Sequence, residues 1–433
     1  MIEITQLYKL YLETQRVFID SRMAANGGIF FALKGDRFDA NDFALKAIAD
    51  GANYAVVDRK DLSQHQKCIY VENTLDTLQQ LAAHHRKQLS MPFIAITGSN
   101  GKTTTKELTT AVLRQKYHVL ATDGNFNNHI GVPLTLLGVK PEHQIAIIEM
   151  GANHLGEIDF LCKIAQPDYG LITNVGKAHI EGFGSFEGVK QTKSELYRYL
   201  VKNNGKGVFL NLANEHLKDL LPAGIEILSY TTQDETAQLR GEVVNNDRFL
   251  LAKALFPKGW LYLKSKLTGA YNLENILAAA RVGIQFGIEP LLIQEAIENY
   301  IPQNNRSQIT QKGDATFLLD CYNANPSSML ASINNFIEMK GDNKAMVLGD
   351  MLELGHESET EHQKIIDVVM YSGIREIYLV GNCFRKTLTP DYFQKFNTIY
   401  ELTQSVGVDY WKDKFVLVKG SRGIQLEKIV KNL

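Results

Sequence analysis

Lys102 and Thr103 follow closely behind two glycines, Gly98 and Gly101, in the stretch Phe93 to Thr105, FIAITGSNGKTTT. That spacing suits one kind of chemistry, the holding of a phosphate chain. Gly98, Ser99, Asn100 and Gly101 form a turn whose backbone N–H groups can face an anion, and the helix dipole behind them adds positive potential. Lys102 is placed to reach terminal phosphates, and the Thr103 hydroxyl to bind Mg²⁺, with Thr104 in the same turn. The general Walker A pattern has a further glycine where this chain has Ile96, so the match is to a shortened form. The apolar run Phe93 to Ile96 ahead of the turn reads as a buried strand, and Glu107 and Leu108 fall in the helix that follows it.

Other polar residues recur where strand-like runs end. Glu149 follows Ile145 to Ile148, where a carboxylate near a phosphate loop is placed to hold Mg²⁺ directly or through water; the bland alternative is a helix-capping or surface glutamate. Asn125, Asn127 and Asn128 precede Gly131 and Pro133, and clustered amides suit either a polar ligand such as a sugar or an Asx-rich turn. Asn272 and Asn275 share one face at the start of an apolar helix, to read a base or to cap it. His179, in a glycine-rich loop, and Lys193, in the helical stretch Val189 to Leu200, read locally as a structural histidine and a solvent-facing lysine. Near the N-terminus, Asp20-Ser21-Arg22 and the segment Lys34 to Asp39 follow short strands, as ligand-contacting loops or as solvated turns. Toward the C-terminus, Asp320, Asn323, Asn325, Asp350, Glu353 and the basic group Lys419 to Arg422 sit at strand ends; Arg422 could equally pair with Glu427 on the surface.

The elements that must position these residues form an α/β chain. Strand-like runs at Gln144 to Ile148, Tyr169 to Thr173 and Gly207 to Leu210 alternate with helical segments, which argues for a mostly parallel sheet of P-loop ATPase type. Further strands are expected around Phe249 to Ala252 and Trp260 to Leu263. A second alternation at Ala315 to Asp320, Lys344 to Leu348, Glu376 to Val380 and Phe415 to Val418 predicts a Rossmann-like unit without GxGxxG. With 433 residues, three domains are expected: 1–85, small α/β; 86–302, central and nucleotide-binding; and 303–433. A net charge of −2 supplies no basic field for nucleic acid or an anionic membrane. Cys68, Cys162, Cys321 and Cys383 form no CxxC pair, which suits a reducing cytoplasm. Neither a signal peptide nor a membrane-length apolar run is read, so a soluble cytoplasmic enzyme is expected, as a monomer.

Taken together, GSNGKTTTKE (98–107), GNFNNHIGVPLTLL (124–137), EMGANHLGEI (149–158), TNVGKAHIEGFGS (173–185), DCYNANPSSM (320–329) and GDMLELG (349–355) resemble the Mur ligases of peptidoglycan synthesis, over essentially the whole chain. The third, fifth and sixth of these are most similar to the member that adds D-alanyl-D-alanine. The resemblance implies ATP and Mg²⁺ as cofactors, with Lys102 and Thr103 on phosphates and metal and Glu149 on the same Mg²⁺. It implies a second metal site at His179 and Lys193, with the lysine carbamylated; family members usually have alanine where this chain has Thr192. Asn272, Asn275, Arg306 and Asp320 match its adenine and ribose contacts, and Ser21 and Arg22 its UDP-binding first domain. Asn127, Asn128, Asn323, Asn325 and Arg422 are the remaining candidates for substrate contact. The implied reaction is ATP-dependent amide formation between UDP-N-acetylmuramoyl-tripeptide and D-alanyl-D-alanine through an acyl phosphate. Alternatives are a folylpolyglutamate synthetase, an earlier Mur ligase, or a P-loop nucleotide switch that ligates nothing.

Overall fold

The computed structural model describes residues 2–431, apart from 37, 178–179, 222, 234–235 and 304. Three main sheets follow one another along the chain. The first is fully parallel and pairs Val17–Phe18, Ile29–Phe31, Tyr54–Val57 and Cys68–Tyr70 in that order. Its strands are short apolar runs, and Ile29, Phe30 and Phe31 are wholly buried. Beside it, the polar segment expected as an open loop is a small hairpin, Lys34–Gly35 against Phe38–Asp39. Cross-strand attraction between Lys34 and Asp39, 3.7 Å apart, favours that pairing; Arg37 lies outside the described residues.

Helix Thr74–Lys87 leads out of this sheet, its first turn capped by the Asn73 side chain, which accepts from the Leu75 and Asp76 amides. Leu78, Leu81 and Ala82 on its apolar face join a core that holds Phe31 of the first sheet and Ile148 of the second. The helix therefore belongs to both layers. Arg86 near its end fixes the join, donating to the Ala165 and Gln166 carbonyls and pairing with Asp168 at 3.0 Å, with its guanidinium 3.9 Å from the Phe93 ring centre.

The second sheet has nine strands. Phe93–Thr97 lies at its heart between Tyr169–Ile172 and Ile145–Glu149, parallel to both, with all five residues buried. Burial on both faces explains why these strands are continuous apolar runs rather than alternating ones. Helices Lys102–Leu113 and Asn272–Gln285 cover one face through Leu108, Val112, Ile276 and Leu277. Helices Glu157–Ala165 and Phe186–Lys202 cover the other through Leu161 and Leu196. Gly207–Asn211, Ile227–Thr231 and Leu239–Asn245 continue the sheet in parallel, and beyond them it turns antiparallel with Leu251–Phe256 and Gly259–Lys264. One of these strands begins at Leu251 rather than near Phe249, which lies exposed before it.

The third sheet runs Gln308–Lys312, Ala315–Asp320, Phe415–Lys419, Lys344–Gly349, Glu376–Val380, Gln394–Phe396, parallel except for its first pair. Adjacent strands place Asp320 opposite Lys419 at their carboxyl ends. From there the chain enters helix Pro326–Glu338, where Asn325 and Ser328 form a reciprocal capping box. Among the described residues no helix is long and apolar enough to cross a membrane.

Candidate active site

The carboxyl ends of the central strands and of the third sheet open onto one shared cleft of about 980 Å³. Its walls include Ser99 to Thr104, Asn127, Asn128, Glu149, Asn272, Asn275, Arg306, Asp320, Asn323 and Asn325. Fifteen candidate residues scattered over the sequence thus meet at one place, as expected where ligands bind beyond strand carboxyl ends.

The turn between Thr97 and Lys102 is shaped by its glycines. Gly98 has φ +143°, and a Cβ there would lie 2.0 Å from the Thr173 hydroxyl. Gly101 has φ +79°, and a Cβ would lie 2.5 Å from Asn275 Oδ1. Only glycine satisfies both the conformation and the space. The strand end at Thr173 and Asn174 braces this turn: Asn100 donates its N–H to Asn174 Oδ1 (2.9 Å), and its carbonyl accepts from Thr173 Oγ1 and Asn174 Nδ2. Lys102 folds back over the loop, donating to the Gly98 and Ser99 carbonyls at 2.6 and 3.2 Å. Desolvation lowers its pKa to about 8, Glu149 opposing the fall and Arg306 adding to it. The lysine is thus a cation held against the loop that an anion must displace from its carbonyls.

Glu149 is buried at the end of its strand and faces the first turn of helix Lys102–Leu113. Its Oε1 accepts from Thr103 Oγ1 at 3.1 Å and from Asn127 Nδ2 at 2.8 Å. Its Oε2 has no hydrogen-bond partner, and the Lys106 ammonium stands 3.7 Å away, donating instead to the Thr122 carbonyl. An orphaned carboxylate oxygen beside a hydroxyl is a hard-oxygen donor set that fits Mg²⁺. Lys106 was missed from sequence, although it lies three residues after Thr103 on the same helix face. The surface-glutamate alternative is excluded, since Glu149 is 1% exposed.

The asparagines divide by role. Asn128 Oδ1 accepts from the Ile130 and Gly131 amides and so shapes the turn into helix Gly131–Leu136. Asn275 accepts from Thr105 Oγ1 and donates to Asn272 Oδ1, while Asn272 donates to the Thr268 carbonyl. Both stand in the first turn of their helix at the cleft wall, their amides bound to the protein. Opposite, Asp320 pairs with Lys419 at 2.9 Å, and Lys419 also donates to the Asn323 carbonyl. Arg306 lies 3.7 Å above the Tyr322 ring, with its Nε buried and unpaired.

Lys193 is not solvent-facing: it is 2% exposed on helix Phe186–Lys202, 5.7 Å from the Phe183 ring centre. Burial pushes its pKa well down, repulsion from Lys102 adds to the shift, and Glu195 and Glu157 oppose it. Thr192, beside it, spends its hydroxyl on the Gly188 carbonyl and leaves the lysine unblocked. His179 lies outside the described residues.

Ser21, Arg22, Asp350 and Arg422 stand apart from the cleft lining. Ser21 and Arg22 follow the first strand of the first sheet, with Arg22 87% exposed and paired to Asp20 at 2.6 Å. Arg422 contacts Tyr322, its Nη1 3.3 Å from the hydroxyl, and among the described residues forms no ion pair with Glu427. Asp350 points inward, accepting from the Cys383 and Phe384 amides. With His362 and Cys383 it forms a compact trio, but both His362 nitrogens are engaged, one by the Met351 amide and one by the Ser358 carbonyl. That trio is structural.

Comparison with known proteins agrees with this architecture. Residues 96–283 match the Mur ligase middle domain and residues 305–422 the domain described as Mur ligase, glutamate ligase domain. The UDP-N-acetylmuramoyl-tripeptide--D-alanyl-D-alanine ligase of Bacillus subtilis is 34% identical over 96% of this chain and 92% of its own. A crystal structure of MurF from Acinetobacter baumannii superposes with a TM-score of 0.87 at 31% identity, covering 98% of this chain and 97% of that one. MurF ligase from Thermotoga maritima, solved with ADP, gives 0.84 at 26% identity over 100% and 98%. Identity of this extent across both sheets of the cleft leaves one conclusion: the chain belongs to the Mur ligase family.

Proposed function

We propose that this protein is an ATP-dependent ligase that joins D-alanyl-D-alanine to UDP-N-acetylmuramoyl-tripeptide. The observation that carries the reading is the shared cleft, in which the phosphate loop and Glu149 face the Tyr322 to Asn325 turn of the third sheet. A nucleotide switch needs the first wall alone; a ligase must bring a phosphoryl donor, an acid and an amine together. The similar proteins that carry the D-alanyl-D-alanine ligase name support the choice of acceptor.

In this reading the tripeptide carboxylate attacks the γ-phosphorus of ATP, and ADP leaves. The dipeptide amine then attacks the acyl carbon, loses its proton and expels inorganic phosphate. Phosphoryl transfer asks mainly for positioning and charge neutralisation. Lys102 moves from its loop carbonyls onto the β- and γ-phosphates, and the loop amides orient them. Thr103 and Glu149 would hold Mg²⁺, as His179 and a carbamylated Lys193 would hold a second ion. Bound magnesium neutralises charge on the transferring group. Lys193 suits carbamylation because the neutral amine, favoured by its burial, is the form that adds CO₂. Asn272, Asn275, Arg306 and Asp320 border the nucleoside, while Asn127, Asn323 and Arg422 serve the peptide substrates. Residues 1–85, with Ser21 and Arg22, take the UDP moiety; 86–302 take ATP, and 303–433 the dipeptide. The enzyme acts as a cytoplasmic monomer.

Measuring phosphate release against omitted substrates tests the reading. Release should require ATP, a UDP-linked tripeptide and D-alanyl-D-alanine together. Hydrolysis that ignores both acceptors would point to a switch, and turnover on a folate with glutamate to a different ligase.

A further inference from the structure

We propose that Asn100, Asn325 and Ser327 form a latch that closes the third domain onto the phosphate loop. This reading makes the Asn100 side chain a positioning residue for closure rather than a nucleotide contact. Asn325 Nδ2 donates to Asn100 Oδ1 at 2.7 Å, Asn100 Nδ2 donates to Ser327 Oγ at 3.0 Å, and Ser327 Oγ donates to Asn325 Oδ1 at 2.9 Å. Each side chain both gives and receives, so the three close a ring between segments more than 220 residues apart.

Both sides of the ring are held rigidly. On the central side, the Asn100 backbone is bonded at N–H and at C=O to Thr173 and Asn174, so its side chain projects from a braced turn. On the other, Asn325 Oδ1 also accepts the Ser328 amide as the helix cap, which fixes its rotamer; the residue is 6% exposed. Gly176 brings the central loop close as well, since a Cβ there would stand 3.0 Å from Ser327 Oγ. Lys177, next to Gly176, also joins the two units, pairing with Glu361 at 3.3 Å and Glu357 at 3.7 Å; farther from the phosphate loop lie Asn246 to Asn335 at 2.8 Å and Lys340 to Asp247 at 2.8 Å. The latter is mostly exposed and contributes little.

The placement gives the latch a consequence. Asn323, two residues before Asn325, lines the cleft, so seating the ring sets the distance between the phosphate loop and the turn that faces it. Closing therefore aligns the two reacting halves, and the energy of the ring is available only in the closed arrangement.

Asn100→Ala and Ser327→Ala, singly and together, test this. The kinetic arm rests on the ligase reading; small-angle scattering with and without magnesium-ADP does not. Thermal melting confirms that each variant is folded. Each single change should lower kcat about tenfold, and the double variant should fall no further, because all three remove one device. Scattering should shift toward a more extended particle in all variants, while ATP affinity measured by direct titration stays within about twofold. Effects that multiply to about a hundredfold in the double variant, or scattering identical to the parent under both conditions, would overturn the latch. So would a loss of ATP affinity in Asn100→Ala with Ser327→Ala silent. A protein that closes normally yet fails to ligate would instead count against the proposed reaction.

Discussion

At the scale of single residues, two lysines carry opposite lessons. Lys102 was legible because glycine spacing and a following helix specify its surroundings locally. Replacing it with alanine should cut kcat/KM by about 10³-fold or more, since in the proposed reaction its charge acts on the transferring phosphoryl group, while circular dichroism stays that of the parent. Activity within tenfold of the parent would remove Lys102 from the mechanism. Lys193 was not legible, because nothing in a helix sequence says which lysine will be buried beside a neighbouring aromatic ring. Only the fold shows it 2% exposed with its pKa depressed. If it works as a carbamate, Lys193→Ala should be nearly inactive and short carboxylates should restore part of the rate by replacing the lost oxygens. A ligand-bound crystal grown with bicarbonate that shows a bare ammonium there would refute the carbamate. Glu149 lies between these cases. Its place after an apolar strand was visible, but its unpaired Oε2 and the attendant Lys106 were not, since both depend on the helix crossing the strand end.

At the scale of elements, the strands buried on both faces were the easiest to read, because Phe93–Thr97 and Ile145–Glu149 are unbroken apolar runs. The hairpin at Lys34–Gly35 and Phe38–Asp39 was missed, since two-residue strands leave no periodicity to detect. Helix Thr74–Lys87 holds its double allegiance through partners such as Ala165 and Asp168 far along the chain, which its own sequence does not name. Arg86 ties it to the central unit with three donated bonds, to Ala165, Gln166 and Asp168, and with the Phe93 ring beneath it. Arg86→Ala leaves the Ala165 and Gln166 carbonyls unserved, while Asp168 keeps Lys206 at 3.3 Å and the Phe93 amide at 2.9 Å, so the change should cost about 2 kcal/mol. Urea titration followed by fluorescence and by limited proteolysis should show the midpoint fall, with cleavage appearing first near residues 87–92. A loss below about 0.5 kcal/mol would mean that the apolar face of the helix suffices without the arginine.

At the scale of the whole molecule, the proposed assignment of the dipeptide to the third domain asks how its amine and its carboxylate are received. In that reading the amine must face the acyl carbon inside the cleft, so the carboxylate is held one dipeptide length away. Arg422 lies at the margin, outside the cleft lining, with its guanidinium 5.2 Å from the ring of Tyr322. The same ring carries Arg306 at 3.7 Å, and Tyr322 and Arg306 both line the cleft. One aromatic plate thus links a guanidinium inside the cleft to a guanidinium at the rim. The surface alternative, a pair with Glu427, is not formed among the described residues, so apart from its Nη1 contact with the Tyr322 hydroxyl the Arg422 guanidinium is left for the proposed carboxylate. A planar fork binds that group bidentately and orients it, which an ammonium cannot reproduce. Arg422→Ala should therefore raise KM for D-alanyl-D-alanine at least tenfold and leave KM for ATP and for the UDP-tripeptide within about twofold. Arg422→Lys should recover only part of the loss, because charge returns without the fork. Equal shifts in all three constants would mean that Arg422 acts on closure. No shift in any of them would move the carboxylate anchor to Lys419 or to the asparagine turn.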